Sequence, residues 1–380
     1  MQEDEQDDPD RVPKVEFSAF AKDLADRIKT KGGAIPLAEY MEACIVEYYA
    51  SRRPFGKEGD FITSPEVSQM FGELIGAWIA DIWNQMGKPA KAQIVELGPG
   101  RGTLAADIMR ILKTWPDCAA AMSIHMVENS RALREEQAAA LKGYEPKFYD
   151  RFEEVPEGIV FVVANEFLDA LPVRQYVRKS KKWHEKMVIF DEEKGEFSWK
   201  LREDPTDTTP PKGYPKPIDR DVFEVNDGAR NVVESVSRRI AAHGGAALFI
   251  DYGAAKPIYG DTMQAYKRHK SVDALRNPGG QDVTANVDFA ALVAVAEPIV
   301  NTHGPVTQGE FLMRLGIVER AEVLCRATSD PIARGKERLA VRRLTNGTDM
   351  GVKFKMLGLS QKNSNVHPAG FDDGNDVSHD

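Results

Sequence analysis

Cysteine is scarce in this sequence of 380 residues, and its scarcity excludes several classes of protein. The three cysteines, Cys44, Cys118 and Cys325, are far apart and form no Cys-x-x-Cys pair. Disulfide-stapled domains and structural zinc sites need closely spaced thiols, and the seven histidines form no His-Glu-x-x-His pattern. We therefore expect free thiols, a reducing compartment and no bound metal.

Long apolar runs are also missing from the sequence. No run approaches the roughly 18 residues that a membrane-spanning helix needs. The acidic first ten residues have neither the apolar segment of a signal peptide nor the arginines of a transit peptide. These absences predict a cytoplasmic protein without membrane insertion.

An excess of positive charge is the third absence, since the formal net charge is −9 at pH 7. Residues 1–10 hold six acids and no base, and residues 361–380 hold four acids and one lysine. The remaining chain carries equal numbers of acidic and basic side chains. Nucleic-acid-binding proteins usually have a basic surface, so the composition argues against such a partner. Residues 1–14 and 359–380 are predicted to be disordered tails.

The body of the chain has the patterns of an α/β protein. Residues 15–90 show apolar residues at helical spacing, which predicts an N-terminal helical region. Strand and helix patterns then alternate over residues 91–358, which is typical of a parallel, doubly wound sheet. A hairpin and a proline-rich segment interrupt that alternation at about 178–228. The segment GVKFKMLGLS near the end is predicted to be a last edge strand.

A glycine loop, VELGPGRGTLAADIMR, connects the first strand of this pattern to a helix. Gly98, Gly100 and Gly102 allow the backbone to approach a ligand closely near a helix N-terminus. Their spacing is G-x-G-x-G, whereas the dinucleotide fingerprint is G-x-G-x-x-G, so an NAD-dependent dehydrogenase is disfavoured.

Acidic residues end three successive strands of the pattern. Glu96 can face an amino-bearing group, Glu128 can accept the two hydroxyls of a ribose, and Asp150 can bond an adenine amino group. Together with the glycine loop, these acids predict a site for S-adenosylmethionine. The alternative is a structural turn followed by exposed acids.

The stretch FVVANEFLDALP places polar residues at the tip of a buried strand. Ligands of open parallel sheets bind beyond the carboxyl ends of the strands, so Asn165, Glu166 and Asp169 should face the reacting centre. If the methyl acceptor is a guanidinium nitrogen, two carboxylates can pair with the guanidinium and later accept its proton. An amide such as that of Asn165 can orient the guanidinium. Asn165 and Asp169 could instead cap the following turn.

Several segments in order resemble one known family. GDFITSPEVSQMFGE, VELGPGRGTLAADIMR, ANEFLDALPVRQ, ALFIDYG, AYKRHK, DVTANVDFAAL and QGEFLMRLGI closely resemble the MidA family of class I S-adenosylmethionine-dependent methyltransferases. The resemblance covers about residues 15–358. It implies a Rossmann-like, seven-stranded core with an N-terminal helical region and inserted segments. It also implies methylation of an arginine on the 49-kDa-type subunit of NADH:quinone oxidoreductase (complex I), in support of its assembly.

The resemblance also assigns residues to parts of the site. The glycines and Glu128 would hold the methyl donor, and the transfer site would contain Asn165, Glu166 and Asp169. The residues that would close over the donor are Gly59, Asp60, Thr63, Ser64 and Pro65. Weaker candidates for contact with the substrate are Asp251, Tyr252, Arg268 and His269. From the local pattern alone, Thr63 or Ser64 could simply cap a third helix, with Pro65 in its first turn.

Three other functions compete with this interpretation. The protein could be an assembly chaperone that binds the donor without turnover. It could be a nucleic-acid amino-methyltransferase, although ANEFLDALP lacks the N-P-P-aromatic tetrad of such enzymes. The third alternative is an NAD dehydrogenase.

Family members in eukaryotes are mitochondrial, and the lack of a transit peptide here predicts a bacterial member.

Overall fold

The computed structural model describes residues 18–51, 63–267 and 270–371. The helices of these segments are α1 (Ala19–Thr30), α2 (Leu37–Ser51), α3 (Ser64–Val67), α4 (Gln69–Gln85), α5 (Thr103–Leu112), α6 (Pro116–Ala121), α7 (Arg131–Ala140), α8 (Asp227–His243), α9 (Phe289–Ala296), α10 (Gln308–Arg314), α11 (Ile317–Ala327), α12 (Pro331–Thr345) and α13 (Met350–Lys353). The strands are β1 (Ile35–Pro36), β2 (Ala92–Leu97), β3 (Met122–Val127), β4 (Lys147–Tyr149), β5 (Val160–Asn165), β6 (Arg174–Lys179), β7 (Lys182–Asp191), β8 (Glu196–Leu201), β9 (Val222–Val225), β10 (Gly245–Ala254), β11 (Gln264–Lys267), β12 (Lys270–Val272), β13 (Asp282–Thr284), β14 (Val287–Asp288), β15 (Asn301–Thr307) and β16 (Phe354–Ser360).

The main sheet confirms the predicted doubly wound architecture. Seven of its strands lie in the order β15-β16-β10-β5-β2-β3-β4, and β14 pairs with the end of β10. β2, β3, β4, β5 and β10 run parallel, and β16 runs antiparallel to both of its neighbours. The chain proceeds from β2 to β3 on one side and returns to β5 on the other. The carboxyl ends of β2 and β5 therefore flank the point at which such sheets bind ligands.

β16 lies inside the sheet, so its predicted edge position is wrong. Its side chains alternate between two cores. Phe354 and Met356 pack on one face of the sheet, and Leu357 and Leu359 pack on the other. Both faces of the strand are apolar and need cover, which a place between β15 and β10 supplies.

Helices cover both faces of the main sheet. On one face, α4 and α5 pack through residues such as Trp78 and Ile108. On the other face, α8 and α9 pack through residues such as Val233 and Phe289. α4 is buried around most of its circumference, as a helix between a sheet and further helices must be.

The inserted segment forms a second sheet with part of the N-terminal region. Its order is β1-β7-β6-β9, with β8 on β7, and Ile35 of β1 pairs with Val188 of β7. The predicted hairpin is present as β7 and β8. The N-terminal region is therefore not a separate helical unit, because α1 and α2 share one apolar core with this sheet. A third, small sheet has the order β12-β11-β13.

The predicted third helix is divided at Ser68. Ser68 is extended, and its hydroxyl accepts a hydrogen bond from the Met70 N–H (3.2 Å), which caps α4. Thr63 occupies the N-cap position of the short α3 without a side-chain cap bond, and Pro65 lies in the first turn as expected. The cap that matters for the long helix is thus Ser68.

The segment after β16 continues into the folded core, so the disordered tail predicted from residue 359 is wrong up to residue 371. The Trp78 indole N–H donates to the Ala369 carbonyl (3.1 Å), and the ring of Phe371 packs at a tilt against that of Phe311.

Within the described ranges, no helix combines the length and apolarity of a membrane span, and no cluster of three potential metal ligands occurs.

Candidate active site

The glycine loop follows β2 and has a backbone that only glycine adopts readily. Gly98 has φ +61° and Gly102 has φ +81°. A Cβ atom at Gly98 would lie 2.6 Å from Cδ2 of Phe167, so this glycine lets the loop after β2 touch the loop after β5. Gly102 is the N-cap of α5 and lies against Gln137 of α7. The N-terminus of α5 thereby opens into a cleft.

We name this opening the glycine-loop cleft. It is formed by α3, the loop after β2, the start of α5 and the tip of β5. Its lining residues are Thr63, Pro65, Glu66, Glu96, Gly98, Pro99, Gly100, Arg101, Thr103, Leu104, Asn165 and Glu166.

Glu96 lies at the inner wall of the glycine-loop cleft and is 4% exposed. Burial raises the pKa of its carboxyl to about 8, against a hydrogen bond from the Ala105 N–H that opposes the shift. Its Oε2 atom accepts no hydrogen bond within the described part of the chain. A buried acceptor of this kind suits a positively charged or amino-bearing ligand.

Glu128, after β3, is held in place by its surroundings. It accepts hydrogen bonds from the Ser130 N–H (2.7 Å) and from Nε2 of Gln137 (3.3 Å). The same Gln137 amide donates to the Gly100 carbonyl (2.7 Å), so it connects the acid to the glycine loop. Burial raises the pKa of Glu128. The structure therefore places Glu128 beside the loop, as its expected contact with a ribose requires.

Asp150 is not brought into the glycine-loop cleft. Its carboxylate forms an ion pair with Arg134 (2.5 Å), and its side chain is 68% exposed. Arg134 also donates to the Glu128 carbonyl (2.6 Å). A contact between Asp150 and an adenine would have to compete with this ion pair, so the geometry does not support the predicted contact.

Thr63, Ser64 and Pro65 contribute to the site through different groups. Thr63 and Pro65 line the cleft, but the Ser64 side chain is fully buried and donates to Oε1 of Gln308 (3.0 Å). The Ser64 side chain is thus directed to Gln308, and the expected contact of Ser64 with the donor remains a prediction. Its backbone N–H faces the site and donates to Oε1 of Glu166 (3.3 Å).

Four other predicted residues belong to segments that the structure leaves undescribed. Gly59 and Asp60 precede Thr63, and Arg268 and His269 lie between β11 and β12. They fall outside the described residues, so their assignments remain predictions.

Asn165 and Glu166 stand at the tip of β5, as the sequence predicts. Glu166 has φ +51°, an uncommon conformation for a residue with a side chain, and its N–H donates to the Ile250 carbonyl (2.9 Å). The Asn165 amide donates to Oε1 of Glu166 (3.2 Å). Burial, together with the nearby charge of Asp169, raises the pKa of Glu166 to about 8. The uncommon backbone conformation thus directs a carboxyl of raised pKa into the site.

Asp169 and Asp251 form a buried pair behind Glu166. The Asp251 carboxylate accepts the backbone N–H groups of Leu168 (3.0 Å) and Asp169 (3.2 Å). Burial raises the pKa of both aspartates, and a hydrogen bond from Tyr252 opposes the shift at Asp169. Asp251 is fully buried and positions the turn that carries Asp169, so this geometry does not support its predicted contact with the substrate, which remains a prediction.

Tyr252 contributes to a second opening, which we name the aromatic cleft. This cleft has a volume of about 640 Å³ and reaches Glu166 from the side of β10, β11 and α13. Its lining residues are Glu166, Tyr252, Gly253, Gln264, Tyr266, Asn286, Arg343, Thr348, Asp349, Met350, Lys353, Phe354 and Lys355. Glu166 lines both clefts, so it stands where two ligands would meet.

Comparisons with known proteins agree with this geometry. A family model described as a putative S-adenosyl-L-methionine-dependent methyltransferase matches residues 74–306. The mitochondrial protein arginine methyltransferase NDUFAF7 of Homo sapiens is 36% identical over 368 residues, which cover 88% of this chain and 82% of that protein. Its Drosophila melanogaster homolog is also 36% identical, with coverage of 92% and 87%. The chain belongs to the MidA family of S-adenosylmethionine-dependent methyltransferases.

A solved structure supports the same conclusion for the MidA-family fold. A Burkholderia thailandensis protein, crystallised with S-adenosylhomocysteine bound, superposes with a TM-score of 0.77. It is 26% identical in sequence, and the match covers 93% of this chain and 92% of that protein. The Rossmann-like class I methyltransferase core predicted from the sequence is thus confirmed.

The residues of the glycine-loop cleft fit the cofactor of the MidA family, S-adenosylmethionine. The orphaned Oε2 of Glu96 and the unpartnered, buried Oδ1 of Asn165 are acceptors within the described chain. A cofactor with an ammonium group and a sulfonium centre supplies the positive charge and the donors that such a wall lacks. The left-handed glycines leave room for its close approach to the loop.

Sequence reasoning missed several residues of this MidA-family site. The Thr103 hydroxyl donates to Oε1 of Glu66 (2.7 Å), which connects α5 to α3 across the cleft. Gln137 positions both Glu128 and Gly100. Thr103 and Glu66 lie next to motif residues in the sequence, so their position in the chain could have indicated a place in the site. Nothing in the sequence around Gln137 indicates a role in the site.

Proposed function

We propose that this S-adenosylmethionine-dependent methyltransferase methylates arginine side chains of a protein. The observation that carries the proposal is Glu166, a carboxyl that lines both clefts and has another carboxyl, Asp169, beside it. Arginine is the side chain whose charge and forked N–H groups match such a pair. The names of relatives that are 36% identical give independent support.

The residues of the chain have distinct parts in this reaction. Bound S-adenosylmethionine supplies the methyl group as an electrophilic carbon on a positively charged sulfur. Glu166 would hold the guanidinium with one nitrogen toward that carbon, and Asp169 would add negative charge behind it. Asn165 would fix the orientation of Glu166. When the nitrogen gains the methyl group it loses a proton, and a carboxyl of raised pKa can accept that proton.

We further propose that the target is the 49-kDa-type subunit of NADH:quinone oxidoreductase and that its methylation supports assembly of complex I. The resemblance of the long motifs to the MidA family carries this finer assignment. Nucleic acid is disfavoured as the substrate, because the floor of the aromatic cleft is acidic.

The test uses the purified protein, donor labelled on the methyl group, and this subunit. We expect label in methylarginine after acid hydrolysis, and none when the modified arginine is replaced by lysine. Label on another residue type would contradict arginine as the acceptor. If the Glu166→Gln protein restores assembly in cells that lack the native protein, methyl transfer is not what assembly requires, and the chaperone alternative stands.

A further inference from the structure

Helix α12 has a charge opposite to that of the protein as a whole. The net charge of the chain is −9, yet α12 carries five basic residues and one acid. The basic residues are Arg334, Lys336, Arg338, Arg342 and Arg343. The acid, Glu337, accepts a hydrogen bond from the Ser68 hydroxyl (3.3 Å). Arg334 bonds to the Cys325 and Thr328 carbonyls at the start of the helix. Glu337 is thus the single acid on α12 against five bases.

This positive charge continues to the wall of the aromatic cleft. Arg343 of α12, Lys353 of α13 and Lys355 of β16 line that cleft together with a single additional acid, Asp349. Arg343 and Lys353 are exposed, and no carboxylate of the described residues lies within ion-pair distance of either. Lys355 is half-buried, and burial lowers its pKa. The wall of the cleft is therefore basic, whereas its floor at Glu166 is acidic.

Such a pattern is complementary to a cationic side chain whose neighbours in sequence are acidic. The acidic floor attracts the arginine, and the basic wall attracts the flanking carboxylates. A nucleic acid would match only the wall, because Glu166 and Asp349 would repel its phosphates. Complementary charge of this kind accelerates encounter and improves specificity.

We propose that Arg343, Lys353 and Lys355, here named the basic wall, bind an acidic segment of the protein substrate and so determine which arginine reaches Glu166. This proposal rests on the proposed function, since it assumes a protein substrate. It adds a preference that the active carboxyls alone do not provide: an arginine in an acidic context is selected over one in a neutral context.

The experiment compares two fluorescent peptides of about 15 residues, long enough when extended to reach from Glu166 across the cleft wall. Each has one central arginine. In one peptide four flanking residues are Asp or Glu, and in the other they are Asn or Gln. Fluorescence anisotropy measures their binding to the protein loaded with S-adenosylhomocysteine. We expect the acidic peptide to bind about tenfold more tightly at about 50 mM salt, and the preference to shrink at about 300 mM.

Two triple variants make the test specific to the basic wall. In Arg343→Gln, Lys353→Gln, Lys355→Gln the preference should fall to about twofold or less. The matched control is Lys88→Gln, Lys91→Gln, Lys142→Gln, which removes the same charge from exposed lysines at the amino-end edge of the sheet. The control should keep the full preference. Affinity for S-adenosylhomocysteine, measured on each protein, verifies that the site is folded.

Equal binding of the two peptides by the native protein would overturn the proposal, as would an undiminished preference in the first triple variant. Polyuridylate that binds more tightly than the acidic peptide, and loses that binding in the same variant, would overturn it in favour of nucleic acid. A methylation assay on the same peptides separates the two proposals. Binding through the basic wall without methylarginine would contradict the proposed function alone, and methylation that ignores the flanks would contradict the basic wall alone.

Discussion

The glycine-loop cleft and the aromatic cleft meet at Glu166, but the chain builds them in different ways. The first cleft uses three short segments, at 63–66, 96–104 and 165–166, that stand next to the carboxyl ends of two adjacent strands. The second cleft gathers side chains from 252–286 and 343–355, which belong to different sheets and helices. One cleft is local to the sheet edge, and the other depends on the whole fold.

The difference also concerns the kind of atom that each cleft presents. The glycine-loop cleft depends on backbone geometry, with Gly98 and Gly102 in the left-handed region. The aromatic cleft presents rings and charged side chains, such as Tyr252, Phe354 and Lys353. A backbone site suits a cofactor that is the same in every turnover, whereas a side-chain site can be adapted to one substrate. Substitutions in the two clefts should therefore affect different constants.

The largest effect is expected at the residue that the two clefts share. Glu166→Gln keeps the size of the side chain but removes the carboxylate that would hold and deprotonate the guanidinium. We expect kcat to fall by about 10²- to 10⁴-fold. Affinity for S-adenosylmethionine should fall less than kcat does, because the glycine loop and Glu96 are untouched. Initial rates with labelled donor and isothermal titration measure the two quantities.

The matched control for this variant is Glu297→Gln, at an exposed acid that follows α9. It should leave both constants unchanged. If Glu166→Gln retained its rate, Glu166 would not be a catalytic residue, and Asp169 would have to be tested as the sole base.

The next effect isolates the glycine-loop cleft. Gly98→Ala would place a Cβ atom 2.6 Å from Cδ2 of Phe167 in a backbone conformation that alanine rarely adopts. The loop must shift, so we expect affinity for S-adenosylmethionine to fall by about 100-fold, equivalent to about 2.7 kcal/mol. Titration of native and variant protein with the donor measures this loss.

Gly143→Ala provides the matched control for the backbone. Gly143 has φ +93°, and no atom lies within 4 Å of the position that its Cβ would take. It therefore carries a conformational cost of the same kind without the clash near the cleft. Equal losses of donor affinity in the two variants would mean that general strain, and not the approach of Phe167 to the loop, accounts for the effect.

The two clefts also differ in how far the sequence predicts them. The strand ends at Glu96 and Glu166 and the positive-φ glycines follow from local patterns, because neighbouring residues in the chain determine them. The edge position predicted for β16 failed because pairing is decided by two apolar faces that only the assembled cores reveal. The family resemblance made Asp251 a candidate for contact with the substrate, and the sequence does not show that its carboxylate accepts the backbone N–H groups of Leu168 and Asp169. Arg343 and Lys353 reach the aromatic cleft through tertiary packing, so no motif marks them.

The smallest effect concerns protons and separates the roles of the two acids in the glycine-loop cleft. Glu96 and Glu166 both have a pKa of about 8 in the protein without donor, so both are largely protonated at pH 6.5. The positive charge of S-adenosylmethionine favours the carboxylate form and lowers both pKa values. Binding at pH 6.5 should therefore release about one to two protons, and affinity should rise with pH until about pH 8 and then level off.

Titrations at pH 6.5 in buffers of different ionisation enthalpy count these protons, because each released proton adds the heat of buffer protonation to the observed heat. Glu96→Gln should reduce the number by up to one, since glutamine has no proton to release. In the same variant, the pH dependence of the methylation rate should still show the ionisation of Glu166. A proton count near zero in the native protein would mean that both acids keep their protons beside the donor. Glu96 and Glu166 would then act through hydrogen bonds from neutral carboxyls, and Glu166 would become a base only when the guanidinium enters from the aromatic cleft.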